Sequence, residues 1–404
     1  VDVIHPRCAG VDISKRDAKV AVRVPGSGRK RAQFEVRTFG STTGQVLALR
    51  DWLVGEQVTC VVMEATGDYW KQFYYLLEDG GFEVLLANPR QVRGMPGRKS
   101  DVIDAQWLAE LGSLGLVKGS FVPPPLVRQL RDLTRLRTQV GRERAREVQR
   151  LGKVLEDAGI KLGSVATDLS GVSARAMMRA LGDGLAVDDI VELARRPMRA
   201  KRAELADALV GRFTAHHAYQ VRLLLGRVDA QDKDMVDLTR QIDALMVPYE
   251  HAHDLLVTIP GVSDLVADVI IAETGGDMSQ FPTAKHLASW AGVAPGCDQS
   301  GPRAKSARTR PGNTHLRGAL GIVALAATKT SKTYFSAQYR RITSRRGPVR
   351  ALVAVENSVV TAVWHMLTNA TVYTDPGPVN AGRILTPFRR LNLDPPAWWL
   401  CGST

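Results

Sequence analysis

Cysteine is scarce in this chain: Cys8, Cys60, Cys297 and Cys401 are scattered over 404 residues in no paired spacing. That argues against a disulfide framework and against a zinc site, and fits a reducing cytoplasm. Long apolar runs are missing too. Stretches such as Leu320 to Ala327 and Ala351 to Val355 fall short of the roughly 18 residues a membrane-spanning helix needs, so no membrane crossing is expected. The N-terminus, starting at Val1, has neither the apolar core nor the small-residue cleavage site of a signal peptide. Acids are absent from Gln299 to Val355, a stretch holding twelve basic residues. No metal role is expected for the histidines, His216, His217, His251 and His253 among them; solvated or capping roles are.

What is present describes a folded, modular protein. A hydrophobic share of 45% with 24% charged residues excludes global disorder. At 404 residues the chain exceeds one ordinary core, and two or three domains are expected. Lys and Arg number 54 against 41 Asp and Glu, and the resulting net charge of +13 points to a polyanionic partner, nucleic acid foremost.

The first segment reads as α/β. A strand from Ala9, a turn at Ser14 to Asp17 and an alternating strand through Ala18, Val20, Val22 and Val24 precede a third strand over Ala32 to Arg37. Helix is expected over Gly44 to Leu53 and Tyr69 to Leu77. Strand is expected over Val58 to Met63 and Val84 to Ala87, the former buried on both faces. A loop with Arg90, Arg93, Arg98 and Lys99 then leads to a helix from Asp101 to about Leu111. The Pro123-Pro124-Pro125 run marks a boundary. Beyond it a helix over Leu126 to Leu155 carries Arg128, Arg131, Arg135, Arg137, Arg142, Arg144, Arg146, Arg150 and Lys153, either as a phosphate-binding face or as a solvated surface. Val221, Leu224, Val228, Gln231, Met235, Leu238, Ile242 and Leu245 form a heptad seam that must bury itself against a helix of the same chain or of a second copy. The expected divisions are 1–122, 123–250, 251–372 and a proline-rich tail over 373–404.

Four carboxylates stand out: Asp12 in the first strand, Glu64 at the end of the buried strand, and Asp101 with Asp104, whose spacing puts both on one helix face. Clustered carboxylates raise one another's pKa unless a cation intervenes, and oxygen donors of this kind suit Mg²⁺, two ions of which can serve phosphoryl transfer. Asp17 and Asp68 read as structural, Asp68 as a cap for the helix that follows it. Further on, Ile259-Pro260-Gly261-Val262 resembles a helix-hairpin-helix turn, in which Gly261 would present backbone to a phosphate. Ser300, before Gly301, lies in the acid-free stretch with Arg303, Lys305, Arg308, Arg310 and Arg317, cations suited to a phosphate backbone and to a developing phosphoryl charge.

The runs Gly10-Val11-Asp12-Ile13-Ser14-Lys15, Met63-Glu64-Ala65-Thr66-Gly67, Asn88-Pro89-Arg90-Gln91-Val92, Lys99-Ser100-Asp101-Val102-Ile103-Asp104-Ala105, Ile259-Pro260-Gly261-Val262, Ala291-Gly292-Val293-Ala294-Pro295, Gln299-Ser300-Gly301 and Gly312-Asn313-Thr314-His315-Leu316-Arg317 together resemble the IS110 family of insertion-sequence transposases. The resemblance spans most of the chain. It implies a RuvC-like, RNase H-fold domain with its Asp-Glu-Asp-Asp tetrad on Asp12, Glu64, Asp101 and Asp104. A helical coiled-coil middle and a mainly α-helical C-terminal domain with its nucleophilic serine on Ser300 would follow. It also implies Mg²⁺, target and donor DNA, a structured guide (bridge) RNA, a homo-oligomeric dimer or tetramer that shares its sites between protomers, and a cytoplasmic place on the bacterial nucleoid. Two other readings are a Mg-dependent junction nuclease without a covalent intermediate and a nucleic-acid scaffold without catalysis.

Overall fold

The structure, a computed structural model, describes residues 2–26, 31–65, 67–89, 92, 100–195, 198–300, 303–306 and 309–379, with the backbone alone over 297–300 and 303–306. The chain divides into two compact units, Val1–Val122 and Pro123–Thr404.

Unit 1 is a mixed α/β layer structure. It runs β1 (Cys8–Ile13), β2 (Asp17–Val24), β3 (Gln33–Gly40), α1 (Thr43–Gly55), β4 (Cys60–Glu64), α2 (Trp70–Leu77), β5 (Glu83–Ala87) and α3 (Asp101–Ser113). The sheet order is β3-β2-β1-β4-β5; the β1–β2 and β2–β3 pairs are antiparallel, and β4 and β5 add in parallel on the other side of β1. Successive side chains of a strand point to opposite faces. Ala9, Val11 and Ile13 of β1, with Val61 and Met63 of β4, therefore enter one core with Val46, Leu49 and Leu53 of α1 and Phe73 and Leu77 of α2. The alternate residues Cys8, Cys60 and Val62 pack with Leu108 of α3 on the opposite face.

Glycine lets α3 approach that face. A Cβ on Gly10 would lie 2.0 Å from the Ala105 carbonyl oxygen and 2.5 Å from the Ala109 nitrogen, so no side chain fits between β1 and the helix. At the far end of α3, Glu110 accepts from Arg23 Nε of β2 at 3.0 Å, while Arg23 Nη1 donates to the Pro6 carbonyl. At the near end, Ser100 caps the helix by accepting from Ile103 N–H, and Trp107 Nε1 ties the preceding chain down through the Val92 carbonyl at 3.0 Å.

Among its described residues, unit 2 is helical apart from one hairpin. It begins with α4 (Pro125–Asp157), for which proline at the first position is well suited. Four shorter helices follow, α5 (Leu162–Val165), α6 (Val172–Gly182), α7 (Val187–Glu192) and α8 (Arg202–Ala208), then the long α9 (Ala215–Met246). His217 closes a reciprocal capping box with Thr214 at the start of α9 and reaches Asp157 from Nε2 at 3.1 Å. Leu151 and Leu155, late in α4, share a core with Val221, Leu224 and Val228, early in α9. Leu130, early in α4, joins Ile242, late in α9. The two helices thus run antiparallel, and the heptad seam finds its partner in the same chain. Gln231 interrupts it with a buried Oε1 that has no hydrogen-bond partner among the described residues.

The remainder comprises α10 (Glu250–Val257), α11 (Asp264–Thr274), α12 (Ala284–Trp290), β6 (Cys297–Ser300), β7 (Arg303–Ser306), α13 (Thr314–Lys329), α14 (Tyr334–Arg346) and α15 (Pro348–Asn369). The run-length reading of the sequence passed over α15. Its 22 residues are long and apolar enough to cross a bilayer, but 67% of its apolar window is buried inside the unit. Val355, Val359, Val360 and Val363 belong to the core shared with α11 and α13, and Ser358 accepts a buried hydrogen bond from Gln338 Nε2. Scattered polar residues such as Glu356, Asn357 and His365 divide the α15 sequence into shorter apolar runs.

Candidate active site and nucleic-acid-facing groups

Register explains the acidic cluster in unit 1. Val11 of β1 pairs with Met63 of the parallel strand β4, so Asp12 and Glu64, one residue further on, stand side by side where both strands end. By alternation both occupy the face on which α3 lies, the face of Gly10 and Val62. Asp101 and Asp104 occupy the first turn of α3, where negative charge also favours the helix N-terminus. Asp101 is exposed; Asp12, Glu64 and Asp104 are half-buried. Burial pushes the Asp12 carboxyl up to about 6, and the negative charges of Asp101, Asp104 and Glu64 push in the same direction. Four hard oxygen donors that raise one another's proton affinity are a set fitted to a hard divalent cation.

The neighbouring acids have other partners. Asp17 accepts from Ser14 Oγ at 2.7 Å and pairs with Lys19; the serine hydrogen bond keeps its carboxyl below the usual range. Asp68 pairs with Lys71 at 2.9 Å, and Tyr69, not Asp68, occupies the cap position of α2. The capping expectation for Asp68 is thereby corrected.

Several predicted nucleic-acid contacts lie outside the described residues: Arg90, Arg93, Arg98, Lys99 and Arg308. Ser300, Arg303 and Lys305 are described in backbone only, with Ser300 paired to Arg303 as the last rung of the β6–β7 hairpin. Arg310 is exposed and Arg317 half-buried, where its charge partly offsets the burial that raises the Glu356 carboxyl. Gly261 has a φ of +91°, and a Cβ there would meet the Val323 carbonyl oxygen at 2.7 Å and the Ala327 nitrogen at 2.9 Å, so the glycine makes room for α13.

Most of the cations on α4 are turned inward. Arg128 Nε donates to the Pro123 carbonyl, Arg131 to the Ala272 and Glu273 carbonyls, Arg135 to the Glu273 carboxylate, and Arg137 to Thr239 Oγ1. Arg144 pairs with Asp232 and Arg150 with Glu147. Arg142 and Arg146 are exposed and, among the described residues, have no acid partner. They line a groove of about 480 Å³ with Arg135, His315, Asp132 and Glu143. Burial, then the charges of Arg135 and its neighbours, hold the His315 imidazole below its usual pKa, so it is neutral at neutral pH. Neither a phosphate-binding face nor a solvated surface describes the arginines held by partners within unit 2; Arg142 and Arg146 present an outward cationic face.

Sequence reading missed one group. His5 before β1, Cys60 opening β4 and Glu83 opening β5 bring their ligand atoms within 4.8 Å of one another. His5 Nε2 lies 3.7 Å from Glu83, and its Nδ1 is 3.3 Å from Thr59 Oγ1. Parallel pairing of β4 with β1 on one side and β5 on the other, in which Cys60 opposes Cys8 and Glu83, assembles residues so far apart; local spacing carries no such signal.

Comparison with known proteins decides the family. Residues 9–160 match the DEDD transposase family of IS110 elements, and residues 253–340 match the transposase family IS116/IS110/IS902. The chain belongs to the IS110 family of transposases. The transposase of insertion sequence element IS1111A from Coxiella burnetii is 25% identical over 78% of this chain and 80% of its own length. Two shorter matches are a 43.6 kDa protein of insertion element IS110 from Streptomyces coelicolor, 35% identical over 34% of this chain, and a 42 kDa protein of IS900 from Mycobacterium paratuberculosis, 29% identical over 38%. The chain spans only 33% and 38% of those two relatives. The first IS110-family match contains all four clustered acids and the second contains Ser300.

Proposed function

We propose that this chain is a DNA transposase or recombinase that cuts and rejoins strands with Ser300 as nucleophile and Mg²⁺ held by Asp12, Glu64, Asp101 and Asp104. The observation that carries this reading is the convergence of four carboxylates from β1, β4 and the first turn of α3. The sheet order, an antiparallel three-strand meander extended by two parallel strands, supports an RNase H-like, RuvC-like assignment for 1–122. A coiled-coil region over 123–250, a serine-bearing domain over 251–372 and a tail over 373–404 complete the reading. Target and donor DNA are the substrates, a structured RNA guides their choice, and the chain works as a homo-oligomer on the bacterial nucleoid. The net charge of +13 and the outward Arg142 and Arg146 suit such polyanions.

Magnesium, when bound, supplies positive charge to polarise the scissile phosphate. The chain's own residues do the rest. The Ser300 hydroxyl attacks phosphorus, a phosphoserine bond forms, the bond to the leaving deoxyribose oxygen breaks, and that oxygen takes up the proton the serine gives up. The cations of the acid-free stretch offset charge on the phosphoryl group. Returning the strand to a new deoxyribose hydroxyl reverses the step and frees the serine.

Cleavage and denaturation-resistant protein–DNA adducts are the test, measured with the element's RNA and end-bearing DNA. Ser300→Ala abolishes the adduct and retains binding; Asp104→Asn abolishes cleavage and adduct together. A Ser300→Ala protein that still cuts a four-way junction would replace this reading with that of a metal-dependent junction nuclease.

A further inference from the structure

The hairpin that ends β6 at Ser300 joins the rest of unit 2 through a neck. A Cβ on Gly312 would lie 2.3 Å from the Gly292 nitrogen and 2.5 Å from its Cα, so the two backbones touch with nothing between them. Gly292 holds a φ of +75°, and Asn313 N–H donates to the Trp290 carbonyl at 2.9 Å. The segment between Gly292 and Gly312 is thus pinched at its base.

Asn313 ties that base to the helices beneath. Its Oδ1 caps α13 by accepting from His315 and Leu316 N–H, each at 3.0 Å. Its Nδ2 donates to Glu273 Oε2 at 2.7 Å. Glu273, on α11, has a side chain 0% exposed; Arg135 of α4 grips it through Nε and Nη2, both at 2.8 Å, and Arg131 Nε stands 3.4 Å away. Burial alone would raise this carboxyl, but the hydrogen bonds from Arg135 and Asn313 and the two guanidinium charges hold it below its ordinary pKa. Apolar side chains would bury this face of α11 with less desolvation penalty. The network's distinctive product is a fixed Asn313.

We infer that Glu273 is a positioning residue: through Asn313 it fixes the neck from which the β6–β7 hairpin projects, and so sets where the Ser300 hydroxyl is delivered. The inference rests on the proposed role of Ser300. β6 carries Ser300 roughly 10 Å beyond Cys297. A tilt of about 6° at its base would displace the serine by about 1 Å, an error that can cost about 100-fold in rate.

Asn313→Ser tests this, because serine still caps a helix but is too short to reach Glu273; Glu273→Gln removes the clamp's charge. The full chain is read twice: by hydrogen exchange of amides 297–306 against those of α15, and by the adduct-forming rate at saturating DNA alongside the Kd. In Asn313→Ser the hairpin amides should exchange at least about tenfold faster with α15 unchanged, and the adduct rate should fall about 10- to 100-fold while Kd moves less than about twofold. Glu273→Gln should behave alike; if it does not fold, Asn313→Ser carries the test. Unchanged hairpin exchange, or a loosened hairpin with an undiminished adduct rate, overturns the inference. A wild-type protein that forms no adduct sinks the serine reading instead, and the exchange measurement then still decides whether Glu273 holds the neck.

Discussion

Asp12 carries the cost of the acidic cluster. Its carboxyl is half-buried and faces three like charges, which the fold tolerates because packing of α3 on β1 forces them together. Asp12→Asn should therefore raise Tm by roughly 2–4 °C in the absence of divalent cation. Added Mg²⁺ should raise the wild-type Tm and leave that of the variant nearly unchanged, as expected when ligand binds only the intact site. Differential scanning calorimetry with and without chelator reads both effects. Asp268 offers an independent check by pH. Burial pushes this carboxyl up to about 6 from 3.8, with His253, 3.6 Å away, only partly offsetting it. The folded state thus holds the proton more tightly than the unfolded one, so ionised Asp268 weakens the fold above pH 6 and its protonation restores stability as pH falls from about 6 towards 3.8. Asp268→Asn should be more stable than wild type at pH 8, and the gap in unfolding free energy should close by pH 4.

Among elements, the docking of α3 and the pairing of α4 with α9 are the most exposed to single changes. Gly10→Ala places a methyl where the Ala105 carbonyl already lies, and such overpacking should cost about 1–3 kcal/mol in urea unfolding while dispersing the acids enough to abolish the Mg²⁺-dependent shift. On α9, Gln231→Leu should stabilise unit 2 by about 1 kcal/mol, since it replaces a buried, unpartnered carbonyl with an apolar seam residue. These elements were also the most legible in the sequence. Period-2 alternation places Ala18 to Val24 in a strand, and the heptad from Val221 to Leu245 demands a long helix with a partner. What periodicity could not supply was contact between distant segments. It left open whether α9 pairs within the chain, and it gave no sign that α13 packs against Gly261. The arginines of α4 posed the same problem: their acid partners Glu273 and Asp232 lie about a hundred residues away in sequence.

For the molecule as a whole, net charge and its distribution govern partnership. Arg131, Arg135, Arg144 and Arg150 pair with acids of unit 2, and Arg128 and Arg137 donate to neutral oxygens, so polyanion affinity should depend on fewer cations than the composition suggests. Arg142→Ala and Arg146→Ala should each make the negative slope of log K against log salt shallower by about 1, whereas Arg137→Ala should leave it unchanged. The order of motifs along the chain made the family legible, because separate acidic and serine-bearing runs recur in the right sequence. The mixed sheet followed by a helical remainder was legible from pattern as well, whereas the short helices between α4 and α9 carried no pattern strong enough to read. The most direct measurement is mass spectrometry of the covalent product trapped during strand cleavage. A nucleotide remnant on the peptide containing Ser300, formed only with Mg²⁺ and lost in Asp12→Asn, is the predicted result; a remnant on any other side chain, or complete cleavage with no remnant, would contradict the account.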